Sequence, residues 1–243
     1  MSKQISFYVV DNDQTPPELL KWCASKQESA LHCDENGTIT HPGRRDQHWC
    51  IRTSSSISSN VDTFYFECQV FLHKYHYEIT SYEQSYYDAK QKKPNVGIAF
   101  TTSRLTKKKP SDDPNTLGLQ IGSKHDFSGE NVFQEIRTVQ YGPSTVIENV
   151  DQIKDGDIIG MAFKRVVIDE KKHSVFQPYL NGTKLGHPLL SDTLIESAYP
   201  TIWMDGPGCS ISTNLGSISF KYGKILGNFE YLYVKRNIQH NKC

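Results

Sequence analysis

No run of this chain approaches the ~18–20 apolar residues that a membrane-spanning helix needs. Met1 to Asp13 also lacks the basic segment followed by an apolar one that marks a secretory signal. Net charge is missing as well: 27 Lys and Arg balance 27 Asp and Glu over 243 residues. A dedicated nucleic-acid binder is usually strongly basic, so that class is disfavoured, while a local basic patch stays open. The six cysteines (Cys23, Cys33, Cys50, Cys68, Cys209 and Cys243) include no Cys-x-x-Cys pair. Cys68 and Cys209 fall inside apolar runs, where a free thiol behaves as a small hydrophobe. These absences predict a reduced, soluble, intracellular protein of the cytoplasm and/or nucleus. In that setting the sequons Asn36-Gly37-Thr38 and Asn181-Gly182-Thr183 read as turns.

Catalytic signatures are missing too. There is no Gly-x-x-x-x-Gly-Lys-Ser/Thr phosphate loop, no Gly-x-Gly-x-x-Gly, no Gly-x-Ser-x-Gly and no His-Glu-x-x-His. His73 and His76 are three residues apart, which on a strand puts them on opposite faces. His48 and Cys50 would share a face, but a structural zinc normally takes four ligands and no second pair presents itself. Acidic residues are spread over loops without the pairing that acid–base chemistry requires. The sequence therefore predicts no enzyme, no metal and no cofactor.

Aromatics, by contrast, are plentiful at 11%, led by thirteen tyrosines, as suits a chain rich in strands. The stretch from Asp155 to Tyr222 is a series of apolar runs of four to eight residues closed by Gly, Asn-Gly or Pro. That is the pattern of short antiparallel strands and tight turns. Asn181-Gly182 suits a type I′ hairpin, because both central residues take positive φ at low cost.

The same residues carry a family resemblance. Gly156-Asp157-Ile158-Ile159-Gly160, then Asn181-Gly182-Thr183-Lys184-Leu185-Gly186, Tyr199-Pro200-Thr201-Ile202 and Asn214-Leu215-Gly216-Ser217-Ile218-Ser219-Phe220 follow in the order found in SPRY domains. Upstream, Phe64-Tyr65-Phe66-Glu67-Cys68-Gln69-Val70 and Val96-Gly97-Ile98-Ala99-Phe100 resemble two earlier strands of that family. Gln140-Tyr141-Gly142-Pro143 before Gly156-Asp157 resembles the Ran-binding-protein-M-like subgroup. The resemblance covers residues 27–225 and implies an all-β, bent antiparallel β-sandwich. It also implies a module that binds partner proteins or short peptides through loops at one end.

Around that core, residues 1–26 are expected to pack on the sandwich as a strand (Ile5 to Val10) and a short helix. Thr15 would be the N-cap, Pro16 the first helical residue and Glu18 the capping-box partner, with the helix running to about Ser25. Residues 226–243 form a tail, in which Phe229 to Val234 could add a strand. Strands are predicted at Thr38 to Thr40, Gln47 to Thr53, Thr63 to His73, Val96 to Thr102, Leu117 to Gly122 and Val132 to Gln140, with Ser123 to Asn131 as a loop. Glu170 to His173 reads as a charged turn. The core candidates are Phe66, Val70, Ile98, Phe100, Leu119, Ile159, Met161, Phe163, Phe176, Tyr179, Leu180, Ile202, Ile211 and Phe220. Residues 74–93, with Tyr75, Tyr77, Tyr82, Tyr86 and Tyr87, exceed the ~12–15 residues of an ordinary loop. They read either as a protein-contact element or as an insertion packed on its own sheet.

Carried over by position, the resemblance implies a binding rim of Arg44, Arg45 and Asp46, His125 and Phe127, and Trp203, Met204, Asp205 and Pro207. Tyr82, Tyr86 and Tyr87 are candidate contacts from the insertion. Arg and Trp are the types that most often dominate binding energy. Trp203 has a second reading as a core residue, and Arg44-Arg45 as a solvated turn. The favoured function is an adaptor or scaffold subunit of a larger complex, either ubiquitin-ligase receptor-like or RNA- or chromatin-associated. Any ligase part would sit on another chain. The alternatives are a lectin-like small-ligand domain, for which no acidic calcium cluster is evident, and an RNA contact through Arg104 and Lys107 to Lys109.

Overall fold

A computed structural model of the chain describes residues 20–23, 31–41, 49–59, 61–72, 95–102, 116–125, 131–140, 144–146, 153–168, 170–191, 196–205, 209–216 and 220–222. Two antiparallel sheets contain all of the described strands. In chain order these are β1 (Trp22–Cys23), β2 (His32–Cys33), β3 (Thr38–Thr40), β4 (Trp49–Thr53), β5 (Thr63–Leu72), β6 (Asn95–Thr101), β7 (Thr116–His125) and β8 (Asn131–Gln140). There follow β9 (Ser144–Val146), β10 (Ile158–Ile168), β11 (Lys171–Leu180), β12 (Thr183–Lys184), β13 (Leu189–Ser191), β14 (Tyr199–Asp205) and β15 (Cys209–Asn214). Sheet A has the order β1-β4-β14-β6-β7-β8-β9, and sheet B the order β12-β11-β10-β5-β15-β3-β2, with β13 paired to β11.

Strand alternation sends every second side chain between the sheets. Sheet A contributes Ile51, Val96, Ile98, Phe100, Leu117, Leu119, Ile121, Ile202 and Met204. Sheet B answers with Ile39, Phe64, Phe66, Cys68, Val70, Ile159, Met161, Phe163, Phe176 and Ile211. Phe100 is the hub, with ring centroids 5.5 Å from Phe66, 5.1 Å from Phe163 and 5.5 Å from Phe176. Near-perpendicular contacts such as Phe66–Phe100, at 87°, set a ring edge against a ring face, the favoured aromatic arrangement. All fourteen core candidates are at least partly buried, but Tyr179 and Phe220 lie on the far side of sheet B instead of between the sheets.

The turns follow the side-chain chemistry. Asn181 and Gly182 have φ of 47° and 84°, as the hairpin demands. Asn181 also accepts the Ile158 N–H at 3.0 Å and donates to Asp157 at 2.8 Å, tying the β11–β12 turn to the start of β10. Asp34 accepts the N–H groups of Asn36 and Thr38, closing the β2–β3 hairpin over Gly37 at φ 79°. At the end of the sandwich reached by Thr53 and Tyr199, Arg165 donates to the carbonyls of Ile57, Ser58 and Val61. This holds the loop between β4 and β5 against β10.

Four expectations need correction. The helix expected to reach Ser25 is a strand at Trp22–Cys23, paired with Arg52 and Thr53, and the Trp22 indole N–H donates to Thr213 at 2.6 Å. Long-range pairing there outweighs local helix preference. The loop expected from Ser123 is strand as far as His125, because a bulge between Gly122 and Ser123 lets β7 and β8 go on pairing to His125–Asn131. The charged turn is narrower than expected, since Lys171 already pairs with Ile168. The motif that begins at Asn214 closes a strand instead of opening one among the described residues: β15 ends at Asn214, and Gly216 turns the chain off at φ 104° while its N–H donates to Asn214 at 2.9 Å. The remaining N-terminal elements, the Tyr-rich segment 74–93, the Gln140-Tyr141-Gly142-Pro143 corner beyond Gln140, the basic loop 107–109 and the tail 226–243 lie outside the described residues.

Candidate functional site

The strand ends of sheet A gather at one end the points where the sequence-predicted rim segments attach. Trp49, the first residue of β4, is level with Met204 near the end of β14. Asp205 is opposite Asn95, and Asn95 is opposite Gly122. Beyond Gly122 the β7–β8 hairpin runs on for three more pairs. The chain preceding Trp49 therefore attaches at the same end as the chain following Asp205, the chain preceding Asn95 and the chain following His125. Those four attachments belong to the segments carrying Arg44-Arg45-Asp46, Pro207, the tyrosine-rich insertion and Phe127.

The individual residues divide into three groups. Arg44, Arg45, Asp46, Phe127, Pro207, Tyr82, Tyr86 and Tyr87 lie outside the described residues. His125 and Asp205 are placed by their backbones as the last residues of β7 and β14, at that shared end. Trp203 and Met204 are moved from the rim to the interior, both 0% exposed. Met204 faces the core between the sheets. Trp203 points the other way, onto the outer face of sheet A with Ala99 and Cys50. It lies on bare backbone: a Cβ on Gly97 would fall 1.7 Å from the Trp203 ring. Its indole Nε1 has no hydrogen-bond partner despite complete burial. As folded, neither side chain offers surface to a partner.

A second constellation, which the sequence reasoning missed, occupies the outer face of sheet B. Tyr65, Glu67, Ala162 and Tyr179 project from β5, β10 and β11 and are all at least nine-tenths buried, and residues 220–222 lie against them. Glu67 accepts the backbone N–H of Lys221 at 2.8 Å and of Tyr222 at 2.6 Å, and the Tyr65 hydroxyl donates to it at 3.0 Å. Phe220 meets the Tyr65 ring edge-to-face at 5.1 Å. Gly160 is required here, since a Cβ would fall 2.2 Å from the Tyr65 hydroxyl oxygen. Burial, reinforced by Glu67, raises the Tyr65 phenol well above its usual range, and burial pushes Tyr179 up to about 12. The available signal was an acidic residue in the middle of the largely apolar Phe64 to Val70 run, on the face opposite Phe66.

Among the described residues no cluster of three or more His, Cys, Asp or Glu side chains is placed to hold a metal ion. No helix of the described residues is long and apolar enough to cross a membrane.

No protein-family model and no curated protein matches the chain. Solved structures similar to it include a human SPRY domain, at TM-score 0.49 and 12% identity over 78% of this chain and 97% of that one. The TRIM65 PSpry domain is similar at TM-score 0.45 and 11% identity over 80% of this chain and 91% of that one. The carbohydrate recognition domain of Emp47p is similar at TM-score 0.43 and 10% identity over 83% and 89% of the two chains. At such scores these likenesses carry no argument, and the function is argued from the chain's own residues.

Proposed function

We propose that the chain is a non-enzymatic protein-interaction module that binds a partner protein or a short peptide segment through loops at the β4/β14/β6/β7 end of the sandwich. It would serve as an adaptor or scaffold subunit of a larger complex inside the cell. The observation that carries this reading is the register of sheet A, which gathers four loop attachments at one end. Loops displayed from a rigid scaffold are where recognition residues concentrate. At the opposite end Arg165 ties the loop between β4 and β5 to β10. The ordered resemblance of the strand motifs to SPRY domains supports the same reading, and buried free thiols at Cys68 and Cys209 suit a reducing compartment.

The test is quantitative capture of co-purifying protein from the chain's own cells. Wild type is compared with an Arg44→Ala/Arg45→Ala variant and with a chain lacking residues 75–92. A stoichiometric partner lost from either variant, with its melting temperature unchanged, is the expected result. Equal capture by all three would sink the rim assignment. Affinity that falls steeply with salt would redirect the reading to a nucleic-acid backbone.

A further inference from the structure

We infer that the outer face of sheet B is a second peptide socket, distinct from the loop rim, which the chain keeps filled with its own residues 220–222 and which accepts a bent aromatic–basic–aromatic segment in exchange.

Three observations point to a socket. First, the occupant is held by side chains of the sheet and not by a strand ladder. Two successive backbone N–H groups, those of Lys221 and Tyr222, converge on the single carboxylate of Glu67. Phe220 fills the apolar part, against Tyr65, Ala162 and Tyr179. Tyr222 packs at the edge, where a Cβ on Gly182 would fall 2.9 Å from its ring. Second, the contact can be undone without stranding a charge. Glu67 lies on the outer face of sheet B under a segment that is itself at the surface, with Lys221 exposed and Phe220 and Tyr222 half-buried, so lifting the segment opens the carboxylate and the Tyr65 hydroxyl towards water and leaves the core between the sheets closed. A carboxylate enclosed within the core would have no such escape. Third, the chain's own segment fills the site incompletely. The Tyr179 hydroxyl is buried in the same cluster with no hydrogen-bond partner. An unsatisfied buried donor weakens the resident occupant relative to one that brings an acceptor.

The chemistry of the preferred ligand follows directly. It has an aromatic residue in the Phe220 position and two following residues with free backbone N–H groups, so proline is excluded at both. A basic residue in the Lys221 position suits the acidic centre, and a side-chain acceptor near the aromatic residue would satisfy Tyr179.

The experiment uses the full chain and a fluorescent peptide, Ser-Ile-Ser-Phe-Lys-Tyr-Gly-Lys, identical to residues 217–224. In wild type the tethered segment competes at a high effective concentration, so a Phe220→Ala chain should bind the peptide at least about tenfold more tightly. Adding Glu67→Gln to Phe220→Ala should cost at least about tenfold in peptide affinity, because a charged acceptor shared by two N–H groups is lost. N-methylation of the peptide at its Lys and Tyr amides should abolish binding. Equal binding by wild type and Phe220→Ala, or binding by neither, overturns the inference. Should Phe220→Ala fail to fold, hydrogen exchange of wild type decides. The Lys221 and Tyr222 amides must exchange at least about a hundredfold faster than the β5 amides, as a separately opening segment does. Exchange in step with β5 means the socket never opens, and the inference fails.

Discussion

Replacing Trp203 with alanine tests whether this residue belongs to the binding rim or to the body of the fold. A rim tryptophan would lose partner binding and leave the melting temperature nearly unchanged. The structure requires the opposite emphasis. The indole is fully buried on the outer face of sheet A, with its ring against the Gly97 backbone and beside Ala99. Removing a buried Trp side chain costs about 3–5 kcal/mol in lost transfer energy and cavity. For a chain of this length each kcal/mol lowers the melting temperature by about 2–4 °C, so the expected drop is about 6–20 °C. The unpartnered Nε1 provides an internal control: Trp203→Phe discards an unsatisfied donor along with part of the ring, so it should cost less than half as much as alanine. Gly97→Ala approaches the same contact from the other side. A Cβ 1.7 Å from a rigid ring forces β6 or the indole to move, an overpacking cost of about 1–3 kcal/mol or more. Because the two residues touch, the Gly97→Ala/Trp203→Ala double variant should be less destabilised than the sum of the single ones, by at least about 0.5 kcal/mol. Urea unfolding of wild type and the four variants measures all of this. A loss below about 1 kcal/mol for Trp203→Ala, or strict additivity with Gly97→Ala, would refute the placement.

Other predictions are simpler to state. Asn181→Ala should cost about 1–2 kcal/mol, since it loses both the positive-φ tolerance and the hydrogen bonds to Ile158 and Asp157; Asn181→Gly keeps the φ and should cost less, as denaturant titration will show. Tyr65 and Tyr179 are both held protonated by the fold, so the unfolded chain loses those protons first. Stability should be at its full value below pH 10 and should fall as pH rises through about 12, the value for Tyr179. Melting curves in that range, read beside tyrosinate absorbance, check the sign. Cys68 and Cys209 are buried, and Cys209 is pushed up to about 12. A thiol reagent should therefore modify them only at the rate of unfolding, and rapid labelling of either in native protein would contradict the core packing.

Much of the fold could be read from the chain because its signals are local. Asn181-Gly182 announces its hairpin through φ preference alone. The unbroken apolar run Ile158 to Phe163 has the pattern of a strand covered on both faces, and β10 is buried on both over those six residues. Where the reading failed, the deciding contact lay far away in sequence. Trp22-Cys23 is drawn into a strand by Thr53 and Arg52, and β7 is lengthened by a bulge that no residue type advertises. Alternation from Ile202 and Met204 puts Trp203 on the outer face; that the outer face is itself covered depends on other parts of the chain. Glu67 carries a local signal, an acid within a largely apolar run, but what satisfies it is out of local reach for the same reason. Its partners are 154 and 155 residues away.

The strand order also sets a timetable for synthesis. β5 must wait for β15, whose first paired residue is Cys209, before both its edges are occupied, and β4 waits similarly for β14. Roughly 140 residues separate β5 from β15, which at ~5–20 residues per second is about 7–28 s of translation. Throughout that interval the Phe64 to Leu72 segment, among the most apolar in the chain, leaves the ribosome with an unpaired edge. Nascent chains of this protein should therefore engage holding chaperones through that segment, and should release them only once residues beyond Asn214 have emerged.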